Sequence, residues 1–314
     1  MSLSKMRISE LMLLSVAIVW GTSYGVAKGA VAYYPVIGFL CVRFIMTFVL
    51  LLPSLRGHLR SALPPGLILG TLLLGIFICE TFGIAQTSAS NAAFLISLCV
   101  VFTPAVEWLV FRVRPSVQAF VVTGVSLIGA ILLTGAGELQ MNQGDWLMIM
   151  AAVLRAFMVC FTKALLHNSK IPAMAITAVQ MGVVGFGSLV LLLMTEGAIP
   201  PLPDASSFWM ATVYLVVFCT LFAFFAQNYA LKYTNPTRAS LLMGMEPLFG
   251  ACFAVLWLGE QLTVLSWIGG FLIVIASLLG IRPQKEEKLA CAGATLGHGA
   301  SEPSFRPPAD RQRN

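Results

Sequence analysis

The sequence of 314 residues is 58% hydrophobic and 10% charged, whereas charged residues make up about a quarter of an average soluble domain. A soluble fold of this length could not bury so much apolar surface, so a lipid environment is predicted. The net charge of +6 does not indicate a nucleic-acid partner, because the basic residues lie singly between apolar runs.

Ten apolar runs follow one another along the chain, each close to the roughly 20 residues with which a helix crosses a bilayer. The predicted spans are 8–28, 36–55, 66–86, 89–111, 117–136, 144–165, 173–195, 207–230, 236–258 and 263–281. The first run follows Lys5 and Arg7 and is interpreted as a retained signal anchor. Residues 283–314, rich in Pro, Gly, Ser and charge, are predicted to form a disordered cytoplasmic tail.

The charges between the spans predict the orientation of the chain. If the N-terminus is inside, the inner loops hold Lys5 and Arg7, Arg56 and Arg60, Arg112 and Arg114, Lys163 and Lys170, Lys232 and Arg238, and Arg282 and Lys285. The outer loops hold Glu138, Asp145, Glu196, Asp204 and Glu260, with Lys28 as the exception. Because Lys and Arg are enriched in cytoplasmic loops, both termini are predicted to be cytoplasmic, in a bacterial inner membrane.

An internal repeat divides the chain into residues 1–136 and 137–282. At an offset of about 146 residues, Ala93, Leu95 and Ala105 align with Ala239, Leu241 and Ala251. At an offset of about 135, Trp20 and Lys28 align with Arg155 and Lys163. Since each half has five helices, an odd number, the halves have opposite orientations. Such inverted repeats are typical of secondary transporters, whose substrate sites lie near the midplane between the repeats.

Several short motifs occur in an ordered series along the ten spans. They are Trp20-Gly21-Thr22-Ser23 with Lys28, Arg43-Phe44, Tyr229 to Thr234 with Arg238-Ala239, Glu246-Pro247, Leu258-Gly259-Glu260 and Gly269-Gly270. With these motifs the chain resembles the EamA-type branch of the drug/metabolite transporter superfamily over about residues 8–281. The resemblance implies a ten-helix, inverted-repeat fold and export of amino acids or related metabolites, although members also carry vitamins and nucleobases. The first half departs from the pattern, because Val100-Val101 stands where the repeat would place Glu-Pro.

Ionisable side chains within the predicted spans need an explanation, because each costs at least about 2.5–3.5 kcal/mol at the centre of a membrane. Depths estimated at about 1.5 Å per residue place Arg43 and Glu80 at one level, and Arg155 and Glu246 near the midplane. We therefore predict two buried ion pairs, Arg43–Glu80 and Arg155–Glu246. Each pair either fixes helix packing or serves transport, with Arg155 holding a substrate carboxylate and Glu246 an amine or a coupling proton.

Other side chains extend the predicted site. Trp20 and Tyr24 in the first span, with Gln227 and Asn228 in the eighth, offer the mixture of apolar and hydrogen-bonding groups that small-molecule sites need. The alternative for these residues is ordinary packing and hydrogen bonding between helices.

Function follows from these patterns as a prediction. A secondary carrier is favoured that exports an amino acid or related metabolite, with protons as the coupling ion, and uptake of a vitamin or nucleobase is the alternative. A non-transporting scaffold or an intramembrane enzyme is the alternative from another class. The sequence contains no Walker loop, and no cofactor, metal or catalytic residue is predicted. The expected partners are a small-molecule substrate and the lipid bilayer.

Overall fold

The computed structural model describes residues 3–87, 89–112, 114–134, 141–167, 169–258 and 263–281. Within these ranges the chain forms ten helical segments. They are α1 (Leu3–Val31), α2 (Val36–Leu51, extended by a 3₁₀ turn, Leu52–Leu55), α3 (Leu59–Gln86), α4 (Ala89–Ser97 and Cys99–Phe111), α5 (Val117–Thr134), α6 (Gln143–Leu166), α7 (Ala173–Glu196), α8 (Ser206–Tyr214, Leu215–Phe222 and Ala223–Leu231), α9 (Pro236–Met243 and Glu246–Leu258) and α10 (Val264–Ile281).

Each predicted span coincides with one of these segments, and no strand occurs in the described ranges. Seven segments, α1 to α4 and α6 to α8, are long and apolar enough to cross a membrane. The apolar parts of α5 and α10, Val117–Leu133 and Val264–Leu279, are shorter, and α9 is interrupted. The chain is thus an all-α, multi-pass membrane protein, and ten crossings remain a prediction. The predicted tail, 283–314, and Glu260 lie outside the described residues.

Local sequence signals set where two of the helices begin. α6 starts with a capping box, in which Asn142 accepts from the Asp145 backbone and the Asp145 carboxylate accepts from the Asn142 backbone. α9 starts with Asn235, whose side chain accepts from the Arg238 backbone, followed by Pro236 in the first turn. These caps satisfy backbone groups that a helix leaves without intrahelical partners.

Three helices are interrupted within the bundle. The break in α9 precedes Glu246-Pro247, where the proline has no N–H to continue the hydrogen-bond ladder. The break in α4 lies at Leu98, about 146 residues earlier, which is the same position in the predicted repeat. In α8, Leu215–Phe222 form a π-helix, an uncommon geometry that often marks functional sites.

The packing of the helices has a two-fold pattern. α1 packs against α8 and α9, and α6 packs against α3 and α4. α2 lies against α7, α4 against α9, and α5 against α10. Exchanging α1–α5 for α6–α10 converts this set of contacts into itself, as two similar halves related by a two-fold axis would require.

The closest approach of α1 to α9 depends on two glycines. A Cβ atom on Gly21 would lie 2.7 Å from the backbone oxygen of Glu246 and 2.8 Å from the backbone nitrogen of Gly250. A Cβ atom on Gly250 would lie 3.0 Å from the backbone oxygen of Gly21. Small residues allow backbones to approach in this way inside membranes. Gly25, which has GxxxG spacing from Gly21, has no neighbour within 4 Å of its Cβ position and takes no part in this contact.

Gly21→Ala should therefore destabilise the protein, by about 1–3 kcal/mol, because the methyl group overlaps the backbone of α9. Gly25→Ala is the matched control on the same helix, and we expect it to preserve or raise stability, because alanine is the better helix former. Thermal unfolding of both purified variants in detergent measures the difference. Equal melting temperatures for the two variants would contradict the tight α1–α9 contact.

Candidate functional site

A cavity of about 620 Å³, a volume that includes its open mouth, lies among α1, α2, α3, α6 and α8. It combines charged, amide and aromatic side chains with apolar ones. The lining consists of Trp20, Ser23, Tyr24, Ala27, Arg43, Leu73, Ile76, Phe77, Glu80, Thr81, Ile84, Arg155, Met158, Phe224 and Gln227. Six of the eight predicted site residues are in this list. A mostly apolar surface with a few convergent polar groups is typical of small-molecule sites.

Arg155 and Glu246 form the predicted ion pair. The contact is bidentate, with Arg155 Nη1 donating to Glu246 Oε2 at 3.2 Å and Nη2 donating to Oε1. The Tyr24 hydroxyl donates to the same Oε2 at 2.8 Å, so the carboxylate accepts three hydrogen bonds. Arg155 and Glu246 are 6% and 2% exposed, and this network ties α1, α6 and α9 together inside the protein.

Trp20 forms the aromatic wall beside this pair. Its indole ring lies 4.4 Å from the guanidinium carbon of Arg155, within the range of a cation–π contact. The indole N–H donates to the backbone oxygen of Cys219, 2.8 Å away in the π-helical part of α8. Phe224 lies 5.3 Å from Trp20 and 5.8 Å from Phe77, measured between ring centroids, which extends the wall along the cavity.

Arg43 does not form the predicted ion pair with Glu80. Within the described part of the chain, Arg43 Nε instead donates to Thr220 Oγ1 at 2.8 Å. The guanidinium carbon lies 5.1 Å and 5.3 Å from the ring centroids of Phe44 and Phe77. The prediction was wrong because equal depth does not fix the direction of a side chain, and the Arg43 side chain contacts α8. Both charged groups nevertheless line the same cavity.

Gln227 and Asn228, neighbours in α8, have different environments. Gln227 lines the cavity. Asn228 is fully buried and does not line it, because its amide nitrogen donates to Thr177 Oγ1 at 2.9 Å and to Gln180 Oε1 at 2.6 Å in α7. Asn228 therefore joins α7 to α8 in this structure, which corrects its prediction as a residue of the cavity.

Thr220 is a residue that the sequence did not reveal; it does not line the cavity but holds Arg43, which does. Its hydroxyl donates to the backbone oxygen of Leu215, five residues earlier, and accepts from Arg43 Nε. A threonine in an apolar run has no distinguishing signal in sequence. Its position depends on the π-helix, which the periodicity of the run does not show.

A protein-family model matches this chain in both of its halves. The model of the EamA-like transporter family matches residues 7–135 and, separately, residues 142–282. The chain belongs to the EamA-like transporter family. The resemblance in its motifs to the drug/metabolite transporter superfamily is thereby confirmed.

Relatives of this EamA-like transporter span nearly its whole length. An uncharacterized transporter of Archaeoglobus fulgidus is 28% identical over 281 residues, which cover 86% of this chain and 85% of the relative. The uncharacterized inner membrane transporter YedA of Escherichia coli K12 is 27% identical over 280 residues, covering 85% and 88%. A solved crystal structure at 16% identity has a TM-score of 0.72 and covers 86% of this chain and 95% of its own, a likeness in fold alone. The protein is a multi-pass membrane transporter.

Thr220→Val should destabilise this transporter relative to Thr220→Ser. Valine keeps the shape of threonine but removes the hydroxyl, which leaves the buried Arg43 Nε–H without its acceptor, at a cost of about 1–3 kcal/mol. Serine keeps the hydroxyl. Thermal unfolding of the two variants in detergent compares them directly, and a serine variant as unstable as the valine variant would mean that the methyl group of Thr220 matters more than its hydroxyl.

Proposed function

We propose that this EamA-like transporter is a secondary carrier that exports an amino acid or related metabolite by alternating access. The observation that carries the proposal is the cavity that contains the Arg43 guanidinium and the Glu80 carboxylate without an ion pair between them. An amino acid carries the complementary groups, a carboxylate for Arg43 and an ammonium for Glu80. Proton exchange would use a carboxylate of the same cavity, and Glu80 is less committed than Glu246, which already accepts three hydrogen bonds.

Alternating access requires two halves that move against each other, and two observations support such halves. The family model matches once in each half of the chain, and the helix contacts are preserved when the halves are exchanged. We therefore propose inverted five-helix repeats over residues 1–136 and 137–282, with both termini cytoplasmic in a bacterial inner membrane. Secondary transporters built in this way hold the substrate between their repeats.

Two roles are open to the Arg155–Glu246 pair. In the first, the substrate carboxylate replaces Glu246 on Arg155, while Glu246 takes the amine or a proton. In the second, the pair stays closed and holds α6 against α9, and Arg43 and Glu80 bind the substrate. The three hydrogen bonds to Glu246 favour the second role, because opening the pair would leave two buried charges without their partners.

Uptake of a nucleobase or an aromatic vitamin is the second candidate function. The specific observation in its favour is the row of rings that lines the cavity, Trp20, Phe224 and Phe77, on which a planar solute could stack.

An intramembrane hydrolase has less support. The run Gly21-Thr22-Ser23-Tyr24-Gly25 has the G-x-S-x-G spacing of a nucleophile elbow, but it lies inside α1, and Ser23 Oγ donates to the Trp20 backbone oxygen.

The proposed function is tested by flux into liposomes that contain only this protein, after a thermal-shift screen with amino acids, vitamins, nucleobases and sugars. A ligand at 100 times its dissociation constant should stabilise the protein by about 2.7 kcal/mol. We expect an amino acid to give this shift and to show saturable flux that responds to an imposed pH gradient. Flux of a nucleobase or vitamin would favour the second candidate, and absence of flux for every ligand that binds would contradict a carrier.

Arg43→Gln should weaken binding of the identified amino acid by about ten- to a hundredfold, because a hydrogen bond to a charged group contributes about 1.5–3 kcal/mol. Arg56→Gln is the matched control, since Arg56 is exposed in the connection between α2 and α3. Titrations by thermal shift give the dissociation constants of both variants. Equal affinities for the two variants would remove Arg43 from the site.

The role of the central pair is tested by neutralising it. Arg155→Gln or Glu246→Gln alone should destabilise by about 3–5 kcal/mol, because each leaves one buried charge without its partner. The double variant should recover much of that loss. If the double variant also transports at the wild-type rate, the pair is structural, and if it is stable but inactive, the pair takes part in transport.

A further inference from the structure

Lys28 ties the C-terminal end of α1 to the C-terminal end of α3. Its Nζ donates to the backbone oxygen of Thr87, the residue directly after α3, at 2.7 Å. The Thr87 hydroxyl in turn donates to the Asp145 carboxylate at the start of α6, at 2.7 Å. The last carbonyls of a helix have no intrahelical donors and carry partial negative charge, so a lysine from a neighbouring helix is a suitable partner.

Lys163 makes the corresponding contact in the second half of the chain. Its Nζ donates to the backbone oxygen of Lys232, the residue directly after α8, at 3.3 Å. At the same end of the bundle, Arg238 at the start of α9 forms an ion pair of 3.1 Å with Glu10 at the start of α1. This group of contacts joins the C-terminal end of α6 to that of α8, and the N-terminal end of α1 to that of α9.

The two groups are equivalent under the repeat. Lys28 and Lys163 are separated by the offset of about 135 residues that relates α1 to α6, and so are Glu10 and Asp145. Thr87 and Lys232 are separated by about 145, the offset of the other aligned helices. In both halves, therefore, a lysine at the end of the first helix binds the carbonyl that follows the third helix. Each group also contains an acidic residue from the first helix of one half that contacts the other half: Asp145 of α6 accepts from Thr87, and Glu10 of α1 pairs with Arg238.

The two contacts lie at opposite ends of the bundle. Thr87 contacts the start of α6, whereas Lys163 lies at the end of this helix, which at 24 residues and about 1.5 Å per residue is about 36 Å long. Under the predicted orientation the Lys28 contact is on the outer side and the Lys163 contact on the cytoplasmic side. Both acceptor carbonyls directly follow the last residue of a helix that is long and apolar enough to cross a membrane.

We propose that Lys28 and Lys163 are equivalent positioning residues of the transport cycle, each of which holds helix ends together at one end of the bundle. The inference rests on the proposed alternating access. In the outward-open state the Lys28 contact is broken and the Lys163 contact is kept, and in the inward-open state the reverse holds. A lysine that only anchors a helix at the membrane surface would need no backbone carbonyl of another helix.

Hydrogen exchange of the full chain in nanodiscs, followed by mass spectrometry, tests this pairing with Lys28→Gln and Lys163→Gln. Loss of the Lys28 contact should raise exchange about tenfold at the ends of α1 and α3, the factor expected for one charge-assisted hydrogen bond. It should also lower exchange at the ends of α6 and α8, because the population shifts towards the outward-open state. Lys163→Gln should give the opposite pattern.

Two controls separate the proposed role from a structural one. Lys28→Arg and Lys163→Arg keep a cationic donor and should restore the wild-type pattern, while Lys170→Gln removes an exposed lysine and should change neither end. Exchange that rises only at the mutated end, or at both ends together, would overturn the proposal. Saturable flux of the wild-type protein is measured separately, so flux without reciprocal exchange refutes the lysine contacts, and reciprocal exchange without flux refutes the carrier.

Discussion

The buried ion pair between Arg155 and Glu246 is the constraint on which the centre of this structure depends. Two charges removed from water destabilise a fold by several kcal/mol each unless their geometry and remaining hydrogen bonds are nearly complete. Here the contact is bidentate, Tyr24 supplies a further donor, and Trp20 covers the guanidinium. Because these residues belong to α1, α6 and α9, the three helices must meet at one point, and the close approach at Gly21 allows it.

The position of Glu246 follows from the backbone around it. The proline after it cannot donate a hydrogen bond, so α9 stops at Met243 and resumes at Glu246, whose carboxylate then lies at the positive end of the second part of the helix. Irregular backbone at this depth is tolerated inside a membrane only where protein or a cavity surrounds it. The break in α4 meets the break in α9, since a Cβ atom on Gly244 would overlap Val100. Both interruptions are thus enclosed by the protein.

The sequence predicted the helices better than the contacts between side chains. Long apolar runs and charge at their ends are sufficient to place ten helical segments, and equal depth was sufficient to pair Arg155 with Glu246. The same argument failed for Arg43 and Glu80, because depth says nothing about the direction of a side chain around its helix. Arg43 contacts Thr220, whose position follows from a π-helix that hydrophobic periodicity does not reveal. For Asn228 the structure shows the alternative that the sequence left open, hydrogen bonding between helices, and its partners Thr177 and Gln180 could not be named because they belong to a helix remote in sequence.

The proposed repeat is preserved in the contacts at the two ends of the bundle. It is not preserved in the side chains at the centre. At the two ends, Lys28 and Lys163 make equivalent contacts, as the proposed alternation between the two ends would require. At the centre, the equivalents of Arg155 and Glu246 are Trp20 and Val100, so the buried ion pair belongs to the second half alone, while Arg43 and Glu80 of the first half line the same cavity. Trp20 packs directly on Arg155, its own equivalent. A site with two identical halves would present the same groups twice to a small solute, whereas here the ion pair comes from one half and the indole ring from the other, so that under the proposed function a substrate would meet unlike groups from the two halves.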